Sequence, residues 1–263
     1  MASGTVQGTL PWSWYVDPDL LQREQERIFR RGWRYAGHPV EPTDSAGSRI
    51  ERLGPLVFAS PDPDPAPLAE TLGPVPELLA AGGIELDRLS FRRRSEFELA
   101  CNWKIAVENY LECYHCSVAH PGFSAVVDVS PEAYRLETHA LGSSQFGPTK
   151  RGAGPVEGQF HWLWPATKVY VLPGPPNLAA GPVAPLGPER TCGFLDYFFP
   201  DDVSDAEVDE LLAFDDQVGL EDRALVESVQ AGMRSGLVGE GRLMPESERL
   251  LVHFQHLVRE ALA

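Results

Sequence analysis

The sequence predicts an α+β domain in which helices cover an antiparallel sheet. Amphipathic helical segments lie near both ends of the chain, and runs of aromatic and β-branched residues lie between them. The chain has 263 residues, of which 43% are hydrophobic, so it can enclose a sizeable core. No internal repeat divides it, and we expect residues 1–263 to form a single domain.

The N-terminal third predicts one long and two short helices around a strand. In DPDLLQREQERIFRRGW, Asp17 suits the N-cap, and Pro18 suits the first helical position, where its missing N–H costs nothing. GPLVFAS predicts a strand. PLAETLG and VPELLAAGG predict short helices, each closed by glycine.

The middle of the chain predicts strands and a polar helix. LSFRRRSEFELACNWKIAVENYLECYH favours a strand that passes into a helix ending by Pro121. On that helix Glu108, Glu112 and His115 would share one face. HWLWPATKVYVLPG and TCGFLDYFFPDD predict two antiparallel strands, and we expect the Gly/Pro-rich stretch between them to be a long loop.

The C-terminal part predicts two helices. Ser204 and Glu207 form a capping-box pattern, and the apolar residues that follow indicate a helix running, with or without a bend, to Gly236. PESERLLVHFQHLVREALA predicts the last helix.

Composition excludes several classes of function. With 22 basic and 38 acidic residues the net charge is −16, which repels nucleic acid and anionic membranes. No apolar run approaches the roughly 20 residues that cross a bilayer, and the first residues do not resemble a signal peptide. We therefore expect a cytoplasmic protein with no nucleic-acid or membrane partner.

Four cysteines in a chain of this length do not suggest a disulfide framework. We expect Cys113 and Cys116, despite their C-x-x-C spacing, to be two small core residues. Basic clusters at positions 27–34 and 92–94 are typical of surface ion pairs. The alternative is a docking face for an acidic redox partner.

The segment ENYLECYHCSVAHPGF, residues 108–123, is the candidate chemical site. His115 and His120 would point about 140° apart on an unbroken helix, so they converge only if the helix loosens before Pro121. Two histidines and one carboxylate form the facial triad of non-heme iron(II) oxygenases, although zinc accepts the same ligands. His253 and His256 fit packing and surface positions better.

The carboxylate of such a triad is not fixed by spacing alone. On the late helix Asp215 and Asp222 are seven residues apart and share a face. Glu221 points about 100° away from Asp222 and should be solvated if Asp222 faces inward.

The segment NWKIAVENYLECYHCSVAHPGF resembles the iron-binding segment of Rieske-type ring-hydroxylating oxygenase alpha subunits. The likeness extends to DLLQREQERIFRRGWRYAGHPVEP near the start and to FHWLWPATKVYVLPGPPN and EDRALVESVQAGM later in the chain. It implies a helix-grip, START-like fold, with a curved antiparallel sheet and helices closing over a deep pocket.

The resemblance also implies roles for individual residues. His115 and His120 match the histidines that hold a mononuclear Fe(II), and Asp222 matches the third ligand. Glu112 matches the acidic residue that links an iron-bound histidine to the Rieske cluster of a neighbouring subunit, and Asn109 lies beside the pocket. The family commonly assembles as a homotrimer.

The sequence departs from the family where the Rieske domain should be. A Rieske cluster needs C-x-H and C-x-x-H. The one C-x-H here, residues 113–115, lies inside the iron motif, and C-x-x-H does not occur. The short stretch at 43–49 stands in place of the domain, so we expect no [2Fe-2S] cluster. Electrons would come from a separate electron-transfer protein, the substrate or peroxide.

We therefore predict a non-heme iron oxygenase catalytic domain that uses dioxygen or peroxide on a small organic substrate. The alternatives are a START-like binding protein without turnover and a metal-dependent hydrolase with the same ligands. Four aromatic residues could line a pocket for an aromatic compound or cage a quaternary ammonium group, although we expect most to be core: Phe160, Trp162, Trp164 and Tyr170.

Overall fold

The computed structural model describes residues 8–38, 48–150, 156–237 and 239–263. Strands form two sheets. The strands are β1 (Arg34–Gly37), β2 (Arg49–Leu53), β3 (Leu56–Ser60), β4 (Leu89–Leu99), β5 (Arg135–His139), β6 (Gly142–Gly147), β7 (Gly158–Leu163), β8 (Thr167–Val171), β9 (Leu178–Gly187) and β10 (Arg190–Pro200).

Helices flank these sheets. The helices are α1 (Pro18–Glu24, continued by a π-helical turn Gln25–Phe29), α2 (Leu68–Leu72), α3 (Val75–Ala81), α4 (Trp103–Tyr110), α5 (Cys116–Ala119), α6 (Pro121–Val126), α7 (Asp205–Arg234) and α8 (Arg249–Leu262). Within the described ranges, no helix is long and apolar enough to cross a membrane.

The main sheet has seven strands in the order β4-β10-β9-β8-β7-β6-β5, all antiparallel to their neighbours. Strands β1, β3 and β2 form a smaller antiparallel sheet. The helices α4 and α7 pack on the main sheet and against each other. The expected α+β fold, an antiparallel sheet covered by helices, is confirmed.

Several capping predictions are confirmed. Asp17 accepts hydrogen bonds from the backbone N–H groups of Asp19 and Leu20 at the start of α1. Ser204 and Glu207 form the reciprocal capping box of α7, which then continues as one helix of 30 residues.

The loop expected between the aromatic strands was wrong, because part of it is β9. HWLWPATKVYV is itself the β7–β8 hairpin, and β9 lies between β8 and β10. Prolines do not prevent this pairing. Pro185 lies beyond the end of the β8 ladder, where β9 pairs with β10 alone, and Pro182 sits at that end, so neither must donate to two strands.

The polar helix is also shorter than expected. It ends at Tyr110, and Glu108 turns away from the histidines to accept hydrogen bonds from Tyr15 and Gln255 at 2.8 and 2.7 Å. Residues 43–47 of the stretch that stands in place of the Rieske domain lie outside the described residues.

The cysteine expectation needs correction, since Cys113 and Cys116 are joined by a disulfide. Both are buried, so their place in the core was correct, but they are not free thiols. The second basic cluster forms ion pairs as expected: its three arginines contact Asp205, Asp209 and Asp196, respectively.

Candidate metal centre and its cavity

The two candidate histidines are brought together by a break in the helix. Asn102 caps α4, which stops at Tyr110, and a turn leads to the short helix α5 that follows His115. His120 separates α5 from α6 with φ −120° and ψ 72°, outside helical geometry, and Pro121 begins the next helix. The backbone leaves helical geometry there, and both imidazoles lie against Asp222 of α7.

Three donor atoms meet at this point. Nε2 of His115 lies 3.1 Å from Nε2 of His120. Oδ1 of Asp222, on α7, lies 2.9 Å from Nε2 of His120 and 3.6 Å from Nε2 of His115. Three ligands on one face of an octahedron with bonds of about 2.1 Å would be about 3.0 Å apart. The residues therefore fit a facial triad.

Each histidine ring is held through its other nitrogen by a glutamate. Glu112 contacts Nδ1 of His115, and Oε2 of Glu221 lies 2.8 Å from Nδ1 of His120. A carboxylate only accepts, so both Nδ1 atoms carry a proton. Each ring therefore faces Asp222 with Nε2, and a metal would bind there after displacing the proton that Nε2 donates to Asp222. Glu221 was expected to be solvated; its side chain is partly exposed, at 23%, and it also contacts His120.

The third donor is oriented by an amide. Nδ2 of Asn109 donates to Oδ1 of Asp222 at 2.8 Å. Burial opposes the charge of Asp222, but hydrogen bonds from His115, His120 and Asn109 hold its pKa well below the usual range.

The site favours positive charge. Burial of the His115 ring works against protonation, yet the hydrogen bonds to Asp222 and Glu112 outweigh it and raise the pKa of His115 to about 9. The pKa of His120 is raised as well, by Asp222 and Glu221 against burial. Such surroundings suit a cation between the three donors.

Cys116 is a further sulfur close to these histidines. Its Sγ and one nitrogen of each ring all lie within 4.8 Å of one another. The sulfur is bonded to Cys113, however, and a disulfide sulfur is not a thiolate ligand. Asp222 is the better third donor.

A cavity of about 430 Å³ opens from the histidines into the space between α7 and the main sheet. Phe160 and Tyr170 line it, whereas Trp162 and Trp164 pack in the hydrophobic core, as expected for most of this aromatic set. The cavity wall therefore combines apolar rings with a few charged side chains, and no tryptophan is among the residues that line it.

Asp215 lies in the wall of this cavity rather than at the histidines. Its Oδ2 accepts hydrogen bonds from the hydroxyls of Tyr170 and Tyr197, both at 2.6 Å. Burial raises the pKa of Asp215, and the two tyrosines oppose that shift. The structure thus separates the two carboxylates that spacing alone could not distinguish.

Sequence reasoning missed Asp215 and Lys168 as residues of the cavity wall, and it missed Glu221 as the partner of His120. Each is a charged residue on a regular element, where solvent is the ordinary location. For Lys168 the available signal was its position two residues before Tyr170, which places both on one face of β8.

Curated relatives share this sequence over most of its length. It is 31% identical over 229 residues to the carnitine monooxygenase oxygenase subunit of Acinetobacter pittii, a match covering 81% of this chain and 61% of the relative. The corresponding subunit of Escherichia coli K12 is 32% identical over 228 residues, with 81% and 60% covered. The chain thus spans about three fifths of these relatives.

A plant relative shows where the difference in length falls. The chloroplastic choline monooxygenase of Atriplex hortensis is 29% identical over 351 aligned positions, which contain 97% of this chain and 78% of the relative. The alignment is longer than the chain itself, so the relative contains an internal segment that has no counterpart here.

Solved structures share the fold. A quaternary ammonium Rieske monooxygenase in complex with L-carnitine superposes with a TM-score of 0.82 at 23% identity, covering 98% of this chain and 96% of that one. Naphthalene 1,2-dioxygenase from Rhodococcus sp. bound to indole gives a TM-score of 0.73 at 14% identity, covering 97% and 94%.

The family model for the catalytic domain of the ring-hydroxylating alpha subunit matches residues 86–263, which include β4 to β10 and every residue of the candidate metal centre. The chain therefore belongs to the ring-hydroxylating oxygenase alpha-subunit family.

Proposed function

We propose that this chain is the catalytic part of a mononuclear non-heme iron(II) oxygenase that oxidises a small organic substrate. Catalytic domains of this family use mononuclear non-heme iron. The observation that carries the proposal is the convergence of His115, His120 and Asp222, each oriented by its own partner, at the end of a cavity. Iron(II) held there would supply the activation of dioxygen or peroxide.

The surrounding residues have positioning roles in this proposal. Glu112 and Glu221 hold the two rings in the tautomer that presents Nε2, and Asn109 holds the carboxylate of Asp222. In this proposal Glu112, which contacts Nδ1 of His115, would also link that ligand to an electron donor docked on its side.

We further propose a quaternary ammonium substrate. Its support is twofold: the relatives are carnitine and choline monooxygenases, and Asp215 places a carboxylate among aromatic rings in the cavity wall. A carboxylate and ring faces together attract an alkylated ammonium group. An uncharged aromatic compound would bring no positive charge to that carboxylate, which has Lys168 as a cationic neighbour but no salt bridge among the described residues.

The electron source lies outside this chain in our proposal. Residues 1–263 form one catalytic domain, the family's Rieske domain is missing around 43–49, and the sequence has no C-x-x-H. Further copies of the chain, as in a homotrimer, would not add a Rieske domain. A separate Rieske protein or peroxide would have to supply the electrons. The comparisons support neither a hydrolase nor a binding protein without turnover.

The test is metal content with a spectroscopic readout. Protein purified without oxygen should hold about one iron per chain and give the EPR signal of an iron-nitrosyl complex when nitric oxide is added. Asp222→Ala should lose stable iron binding and remain folded. Asp215→Ala and the exposed-helix control Glu210→Ala should keep it. Zinc in place of iron under iron-replete expression, or iron lost from Asp215→Ala alone, would overturn the assignment.

A further inference from the structure

The cavity contains a lysine that the metal centre does not use. The chain has three lysines: Lys104, Lys150 and Lys168. Lys168 is on β8, and its side chain lies in the cavity wall with its ammonium 4.9 Å from the ring centre of Tyr110 and 5.9 Å from that of Phe97. Among the described residues it forms no salt bridge and no hydrogen bond.

An ammonium group in this position is costly without a partner. Burial lowers the pKa of Lys168, and the carboxylates of Asp222 and Asp215 only oppose that shift. Both carboxylates are already engaged: Asp222 by two histidines and Asn109, Asp215 by two tyrosine hydroxyls. Aromatic faces replace part of the lost hydration, but they supply no hydrogen-bond acceptor. The missing acceptor has to come from the cavity.

We infer that Lys168 binds a carboxylate of the substrate, so that the substrate is a zwitterion with its anionic end at β8 and its cationic end at Asp215. This inference rests on the proposed function and adds the second charge to the proposed quaternary ammonium class. Lys168 is then a specificity-determining residue that separates betaine-like substrates from amino alcohols such as choline.

The arrangement along β8 supports two separate charge sites. Lys168 and Tyr170 are two residues apart and face the same cavity, which places their side chains roughly 7 Å apart along the strand. Tyr170 donates its hydroxyl to Asp215, so the negative site lies beyond Tyr170 and the positive site at Lys168. A short aliphatic chain with a charge at each end could contact both, and a single-charge ligand could satisfy only one.

The packing around Lys168 also permits its replacement. Its ammonium lies near the rings of Tyr110 and Phe97, and the same cavity wall contains the apolar residues Leu99 and Val183. Methionine has a similar length, needs no hydrogen bond and suits such a wall. Lys168→Met should therefore fold, which allows ligand binding to be measured on an intact cavity.

The experiment compares two ligands that differ in one charge. γ-Butyrobetaine and its methyl ester are titrated into the anaerobic iron(II) protein, followed by calorimetry and by the iron-nitrosyl EPR spectrum. The wild-type chain should bind the free carboxylate at least about tenfold more tightly than the ester, as a charged hydrogen bond in a cavity implies. In Lys168→Met that ratio should fall to about two or less, while Lys150→Met keeps it.

Two results would overturn the inference. One is an unchanged ratio in Lys168→Met, and the other is absence of binding by the free carboxylate while the ester binds. Neither result affects the proposed function, which is judged separately from iron content and the nitrosyl signal without ligand.

Discussion

Lys104 and Lys168 are both withdrawn from bulk solvent beside a tyrosine ring, yet their surroundings differ in one respect. Lys104 lies 5.3 Å from the ring centre of Tyr15 and donates to Glu24 at 2.6 Å, with both side chains fully buried. The second oxygen of Glu24 accepts from the indole N–H of Trp103 at 2.7 Å. Lys168 has the ring but no comparable acceptor.

The difference separates a structural charge from a functional one. Around Lys104 the protein supplies every partner, so the cluster fixes α1 against α4 and leaves nothing for a ligand. In the cavity, by contrast, the ammonium of Lys168 has no hydrogen bond or salt bridge to a described side chain, so it can still bind a ligand. The same contrast holds for carboxylates: both oxygens of Glu24 accept hydrogen bonds, whereas only Oδ2 of Asp215 accepts one from a described side chain.

The largest expected effect tests this contrast through stability. Lys104→Met should destabilise the fold by about 3–5 kcal/mol, because it leaves Glu24 as a buried charge without its counter-ion. Lys168→Met should change the free energy of unfolding by less than about 1 kcal/mol, since no partner is left behind. Urea unfolding of both variants gives the comparison. Equal losses would mean that Lys168 is structural, and the contrast would disappear.

A smaller effect is expected at the glutamate behind His120. Glu221→Ala should weaken iron binding by roughly 10–100-fold, because the Nδ1 proton of His120 loses its acceptor and the ring is no longer fixed. Glu221→Gln keeps an acceptor oxygen and should recover part of that loss. Competition with a chelator measures both. If Glu221→Ala bound iron as tightly as the wild type, Glu221 would be a solvent-facing side chain without a role at the site, as the sequence predicted.

A further effect, confined to a narrow pH range, concerns Glu108 of α4, whose side chain forms no hydrogen bond to a lysine or to the candidate metal ligands among the described residues. Burial raises its pKa from 4.5 to about 7, against the hydrogen bonds from Tyr15 and Gln255. As pH rises through this window the unfolded chain loses the proton first, so stability should fall, by up to roughly 3 kcal/mol.

Glu108→Gln should remove that pH dependence. Both hydrogen bonds go to Oε1, which the amide retains. Thermal unfolding at several pH values between 4.5 and 8 checks it, with the exposed control Glu210→Gln expected to follow the wild type. If the stability of Glu108→Gln changed with pH as steeply as that of the wild type, another group would be responsible for the pH dependence.

Local patterns were sufficient to predict much of the fold. Caps at Asp17 and Ser204 depend on residues close in sequence, and these helices begin where expected. Strand β9 was missed because its prolines are typical of a loop. Only the positions of β8 and β10 show where β9 can tolerate a residue without an N–H donor.

For the site, too, some residues could be assigned from the sequence and others only from the structure. The resemblance to the family assigned His115, His120 and Asp222, and the structure brings them together, although metal binding remains a prediction. Glu221 could not be found from spacing, because it lies 101 residues from His120 in the sequence and meets it only in the folded chain. The unpaired state of Lys168 depends on strands far apart in sequence, and no local signal reports it.

The disulfide between Cys113 and Cys116 has a practical consequence for handling the protein. It encloses Tyr114 and His115 in a small covalent ring, so one candidate ligand is held within a cross-linked loop. Thiols or dithionite added to keep iron in the ferrous state also attack disulfides. The same buffer would therefore set the oxidation state of a bound iron and that of the Cys113–Cys116 pair. Samples prepared with different reductants would differ in whether the loop that contains His115 is cross-linked.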